Sequence, residues 1–305
     1  MLDFLRREGI DEEIIRKIED FRREYPADAA AAYRVPKPKY RYYGRDVWEK
    51  ALTALLSGEN ILLVGPKATG KNVLAENLSA AFGRPQWDIS FYLNTDAASL
   101  IGTDTFKNGE VSLRHGPVYC CAEMGGFGVL DEINMAKNES LSVLHATLDF
   151  RRIIDVPGYD RITLSPCTRF IATMNYGYAG TRELNEALAS RFMVINMPVI
   201  NEENLTKLML EQYPDLKSEY ASELSKLFQE IRKKCDSAEI STKALDLRGL
   251  LASVLLVRQG LTLGQALEMG ITNKSFDAFE RSLVEDIISA RIDGKLSREE
   301  LFKRS

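Results

Sequence analysis

Residues 59–79 read ENILLVGPKATGKNVLAENLS, and the eight residues GPKATGKN have the types and spacing to hold a polyphosphate. Gly65 and Gly70 let the backbone bend until successive amide N–H groups converge on phosphate oxygens. Pro66, Lys67, Ala68 and Thr69 complete the loop. Lys71, Asn72 and Val73 open a helix whose positive end adds to the cradle. Lys71 would reach the β- and γ-phosphates as a point charge. GxxxxGK alone recurs by chance in about one chain in ten of this length, so the apolar strand before it and the helix after it carry much of the weight.

Asn72 stands where such a loop has Ser or Thr, whose hydroxyl ligates magnesium. An amide carbonyl is also a hard oxygen ligand, set one atom further out, so Asn72 can bind the ion or hold one of its waters. Two outcomes follow: an ATPase, slowed or not by Asn72, or a nucleotide-binding switch that hydrolyses little. Retention of Lys71 and Glu132 favours the ATPase.

Three further stretches end apolar runs in polar groups. GFGVLDEIN (125–134) runs into Asp131, placed to hold a magnesium ion directly or through water, and Glu132, placed to polarise an attacking water. The plainer reading of that pair is an acidic helix cap after a core strand. RFIATMNYGY (169–178) ends its strand in Asn175. That amide can position the water or touch the γ-phosphate if its strand neighbours that of Asp131; otherwise it is a turn former. GTRELNEALASRF (180–192) sets Arg191 just before another strand. An arginine so far from its own phosphate loop can stabilise phosphoryl transfer in a neighbouring subunit; a surface ion pair is the ordinary alternative.

The elements that must position these groups follow from the apolar pattern. Short runs at 61–64, 87–91, 127–130, 170–174 and 193–197 alternate with helical spacing, which predicts an α/β domain with a parallel sheet covered on both faces. Before it, Ile10, Ile14, Ile18 and Phe21 predict one amphipathic helix ending near Pro26, followed by a basic, proline-containing linker. After residue 200 the chain reads as wholly helical, with Leu247, Leu250, Leu251 and Val254 on one core face and Phe276, Phe279, Leu283 and Ile287 on another. The expected organisation is an extension over 1–45, an α/β core over 46–199 and a helical domain over 200–305. YYGRDV (42–47) lies just before the first helix of the core, a weak signal for contact with a base.

Composition narrows the classes. The chain has 305 residues and a net charge of −4, which argues against general duplex binding. Four cysteines without a CxxC pair, beside only His115 and His145, leave little material for structural zinc or a Ser-His-Asp triad. They predict buried thiols in a reducing cytoplasm. The charged start lacks a secretory apolar region, and the run LLASVLLV is too short to span a membrane.

The order and spacing of the four motifs resemble those of the AAA+ ATPases, and within them the MoxR family, close to the dynein-related group that includes NorQ-like and CbbQ-like chaperones. The likeness runs from about residue 40 to 291. GPKATGKN resembles Walker A, GVLDEIN Walker B, ATMN sensor 1 and LNEALASRF the arginine-finger segment, with Arg182 the other arginine nearby. STKALDLRGLL resembles the sensor 2 helix, with Arg248 the best match and Lys243 the alternative.

The resemblance implies a P-loop NTPase αβα core with a five-stranded parallel sheet, followed by a small all-α lid. It implies ATP and Mg²⁺ as cofactors and a homo-oligomer, a hexameric ring. It also implies a protein client, of the kind that carries a von Willebrand factor A domain or a metalloenzyme awaiting activation. DTFKNGEVSLRHGPV (104–118), with a turn at Asn108-Gly109, resembles the helix-2 insert, and RRIIDVPGYDRITL (151–164) the pre-sensor-1 hairpin. In that family both hairpins face the ring pore, and Phe106 and Tyr159 are the expected contacts. A DNA-directed motor stays open through Lys107, Arg114, Arg151, Arg152 and Arg161. So does a small-molecule P-loop kinase, which needs no arginine in trans.

Overall fold

The computed structural model describes residues 1–107, 109–176 and 183–303, with Lys107 described in its backbone alone. Asn108 and Arg182 lie outside the described residues. The chain divides into two compact units, one from Met1–Pro66 and Gly70–Pro198, the other from Lys67–Thr69 and Val199 onward.

All five apolar runs form strands of one parallel sheet. In chain order the strands of the first unit are β1 (Ile61–Val64), β2 (Gln86–Ser90), β3 (Gly102–Lys107), β4 (Glu110–His115), β5 (Phe127–Asp131), β6 (Ile153–Ile154), β7 (Ile162–Thr163), β8 (Arg169–Met174) and β9 (Met193–Asn196). The central sheet has the order β2-β5-β8-β1-β9. β1 lies between β8 and β9, with Ile61 opposite Ile171 and Met193. Side chains alternate across the sheet. Ile61, Leu63, Val129 and Ile171 enter an apolar cluster with Trp48 and Phe82, while Leu62, Val64, Leu130, Phe170 and Ala172 enter one with Val118, Leu144 and Leu188. Burial on both faces is why the central strands β1, β5 and β8 read as nearly continuous apolar runs, while the edge strands β2 and β9 keep exposed positions.

The N-terminal residues join the first of those clusters through Phe4, Leu5, Ile15, Ile18 and Phe21. They form two helices rather than the single one expected, Leu2–Arg7 and Glu12–Glu24. Gly9 takes a positive φ of 75°, and Asp11 restarts the helix by accepting the Glu13 N–H at 2.7 Å.

Two antiparallel hairpins leave the sheet. β3 pairs with β4, placing Phe106 opposite Val111, and β6 pairs with β7. The second unit is helical, built on Glu202–Gln212, Ser218–Asp236, Leu247–Arg258, Leu263–Gly270 and Ala278–Arg291. Leu250, Leu251 and Val254 are buried there as expected. The last long helix instead buries Val284 and Ile288, leaving Phe276 and Phe279 exposed. That helix carries two apolar stripes, and periodicity alone cannot say which one faces the core. Among the described residues no helix is long and apolar enough to cross a membrane.

Candidate functional site

β1 delivers the glycine loop at the carboxyl edge of the sheet. The Gly65 N–H still bonds the Met174 carbonyl of β8, at 3.3 Å. The backbone then turns through left-handed conformations at Ala68 (φ 62°) and Gly70 (φ 78°). Glycine is favoured at 70 for two reasons. Its φ disfavours other residues, and a Cβ there would lie 3.2 Å from the buried ring of Tyr42. At Ala68 the same backbone region costs about 1 kcal/mol, the sort of strain found at ligand clamps.

The helix Lys71–Phe82 starts at Gly70 with no side-chain cap among the described residues. The leading N–H groups of such a helix lack intrahelical partners and form an anion site. Lys71 is buried, and its ammonium donates to the carbonyls of Gly65 and Pro66, both at 2.8 Å. Burial pulls its pKa down to about 8, against the opposing pull of Asp131 and Glu132.

The acids meet this loop because β5 and β8 are neighbours. Asp131 ends β5. One of its oxygens accepts from the Asn72 amide at 3.0 Å and the other from the Thr173 hydroxyl at 2.6 Å. Glu132 leaves the strand with φ 55°, and its N–H donates to the Thr173 Oγ1 at 3.0 Å. Its Oε1 accepts from the Asn175 amide at 2.8 Å, and Asn134 donates to the Asn175 carbonyl at 2.9 Å.

Asn72, Asp131, Glu132 and Asn175 therefore share one hydrogen-bonded network. Thr173 and Asn134 belong to it and were not expected from sequence. The available signal for Thr173 was its place two residues before Asn175, hence on the same face of the strand.

Arg191 has partners within its own chain. Its Nη2 lies 3.3 Å from Asp149, its Nε donates to the His145 carbonyl at 3.1 Å, and its Nη1 donates to the Ala187 carbonyl. Asp149 also accepts from the Arg151 guanidinium, Nε at 3.0 Å and Nη2 at 2.6 Å among others, and chiefly these bonds hold its carboxyl down at about 2. Arg248 belongs to the second unit, exposed in the first turn of Leu247–Arg258. Lys243, also exposed there, has its ammonium 5.9 Å from the ring of Phe276.

Phe106 is 74% exposed and Val111, its cross-strand partner, 61%. Tyr159, expected as a second exposed contact, is half-buried, and its hydroxyl donates to Asp104 of the other hairpin at 2.7 Å.

These residues fit a nucleotide and its metal. The uncapped helix start and the buried ammonium suit a polyphosphate. Asp131 and the Asn72 side-chain oxygen are the hard oxygen donors that Mg²⁺ takes.

The AAA domain of the dynein-related subfamily matches residues 60–192, the span that holds the loop, both acids, Asn175 and Arg191. The chain is 33% identical over 242 residues to the uncharacterized protein YojN of Bacillus subtilis, covering 78% of this chain and 79% of that one. It is 31% identical over 258 residues to an uncharacterized protein of Staphylococcus haemolyticus, covering 83% of this chain and 98% of that one. A Staphylococcus saprophyticus protein, also uncharacterized, is 34% identical over 218 residues, covering 69% of this chain and 83% of that one.

Proposed function

The chain carries an AAA domain of the dynein-related subfamily and belongs to one family with YojN and its staphylococcal relatives, and from that premise we propose that it is a MoxR-type ATPase that remodels a protein partner. The observation that carries the hydrolytic part is the network across β5 and β8, where a carboxylate, its amide partner and a metal-binding acid converge beside the glycine loop. A switch that only binds nucleotide has no need of an acid held by an amide at that edge.

The loop N–H groups and Lys71 bind the polyphosphate. Asp131 and Asn72 would hold Mg²⁺, which would supply screening of the phosphate charge. Glu132, fixed by Asn175, accepts a proton from a water as its oxygen bonds to the γ-phosphorus. The bond from phosphorus to the bridging oxygen breaks, and ADP and phosphate leave.

Arg191 supplies the remaining positive charge to a neighbouring subunit of a hexameric ring. To act in trans, Arg191 exchanges its bonds to Asp149, His145 and Ala187 for the neighbour's γ-phosphate. The client is a protein. The MoxR likeness suggests one with a von Willebrand factor A domain, and the exposed Phe106–Val111 pair supports an apolar grip.

Purified protein is expected to hydrolyse ATP with Mg²⁺, and both Lys71→Ala and Arg191→Ala are expected to abolish turnover. Mixing the two inactive variants restores part of it if sites are shared between subunits. No hydrolysis by the unmodified protein would falsify the ATPase reading. No restoration on mixing removes the trans arginine. Stimulation by DNA rather than by a protein would replace the client class.

A further inference from the structure

One side chain touches both acids of the site, and its type does not announce a role. Thr173 is fully buried on β8. Its hydroxyl donates to Asp131 Oδ1 at 2.6 Å and accepts from the Glu132 N–H at 3.0 Å. A hydroxyl has one proton to give and two lone pairs to accept with. Here the proton goes to a carboxylate, a short charge-assisted bond, and a lone pair takes a main-chain N–H. That N–H needs such a partner because Glu132 departs from the strand with φ 55°, a conformation costly for a non-glycine residue.

We propose that Thr173 is a positioning residue for nucleotide hydrolysis, holding Asp131 in one orientation and Glu132 in its left-handed turn so that both acids face the polyphosphate. The proposal rests on the ATPase reading. Its two bonds reach the two acids by different routes. Asp131 is held through its side chain, with Asn72 on the other oxygen. Glu132 is held through its backbone, while its carboxylate is held separately by Asn175. Removing the hydroxyl therefore loosens the metal-binding acid and the base together, and leaves the glycine loop and Lys71 unchanged.

Valine has the shape of threonine without the hydroxyl. In the full chain, Thr173→Val is expected to bind ATP without Mg²⁺ as the unmodified protein does. More Mg²⁺ is needed to reach the gain in affinity that it brings, and kcat falls by about 10- to 100-fold, the usual cost of losing a group that orients a metal ligand, with KM at saturating Mg²⁺ changed by less than about three-fold. Thr173→Ser, which keeps the hydroxyl, restores kcat to within about three-fold.

A core residue that only filled space would give the reverse order, with valine harmless and serine damaging. Thr173→Ala is the second variant. It has to lose kcat as Thr173→Val does, although it also leaves a small cavity. Unchanged kcat and unchanged Mg²⁺ response in Thr173→Val, or equal impairment of Thr173→Ser, overturns the proposal while leaving the ATPase reading intact. If the unmodified protein binds ATP without turning it over, the ATPase reading fails, and the Mg²⁺ response of binding alone decides Thr173. Absence of any ATP binding overturns both.

Discussion

The two ends of the parallel sheet both carry buried charge and use it differently. At the carboxyl edge, Lys71, Asp131, Glu132, Asn175 and Asn72 crowd around an anion-binding loop, and the acids are held mainly by other side chains. At the amino edge three arginines cluster, and their described hydrogen bonds run to main-chain carbonyls. Arg84 bonds the carbonyls of Tyr25, Met124 and Gly125. Arg169 bonds those of Leu55, Pro166 and Thr168, and Arg152 those of Ser165 and Thr168.

Burial lowers the pKa of all three, that of Arg169 to about 10 with help from the nearby Arg152 charge. A guanidinium that saturates carbonyls at strand entrances fixes the register of the loops feeding the sheet. Side chains that hold one another can exchange partners when a ligand arrives. One end is therefore tied down by main-chain contacts, and the other by side chains that a ligand can rearrange.

Substitution at the two ends separates those roles. Glu132→Gln is expected to lower kcat by about 10²–10³-fold, within the range for loss of a general base, with little change in thermal midpoint and retained ATP binding. Its partner test is Arg84→Met, which strands buried carbonyls at about 1–3 kcal/mol each. We expect a loss of roughly 3 kcal/mol, seen as a Tm lower by roughly 6–12 °C. The fraction that remains folded keeps its kcat. A stable Arg84→Met variant with impaired turnover would erase the distinction between the edges.

The centre of the sheet was readable in the sequence because β1, β5 and β8 are covered on both faces and so are nearly apolar throughout, whereas the edge strands β2 and β9 keep exposed positions and showed as apolar runs only in part. The loop and both acids were readable because they sit where those runs stop. The contact between Asn175 and Glu132 depends on β8 lying beside β5, and no local pattern states strand order. Thr173 was missed because inside FIATM it looks like core filler; only its neighbours give the hydroxyl a task. Asp149 was missed because its ion pair with Arg191 joins residues far apart in sequence. The arginine cluster was missed because arginine in a sequence reads as surface.

Proton linkage sharpens the comparison further, since the carboxyl edge has a lysine with pKa about 8. Below that value Lys71 is an ammonium and attracts the polyphosphate; above it the charge is lost. ATP affinity should therefore fall as pH rises, by up to about ten-fold between pH 8 and 9. A bound polyphosphate raises the pKa again, so ATP binding at pH 8 takes up protons. Calorimetry in two buffers of different ionisation enthalpy measures that uptake, and its absence would contradict the buried ammonium. Lys71→Arg, charged across this range, should flatten the pH dependence.

The smallest effect is expected at Asn72, where this chain departs from the usual loop. The Asn72 amide donates to Asp131 at 3.0 Å, so the residue already does what a threonine hydroxyl can do, from one atom further out. Asn72→Thr should leave kcat within about three-fold or raise it, because a hydroxyl is a direct magnesium ligand. Asn72→Ala removes the donor, and of the two described side-chain bonds to Asp131 the one from Thr173 remains. One hydrogen bond to a charged group is worth about 1.5–3 kcal/mol, which predicts a weakened Mg²⁺ response larger than that of the threonine variant. If Asn72→Thr loses about ten-fold or more while Lys71 and Glu132 stay in place, the loop is shaped around the amide.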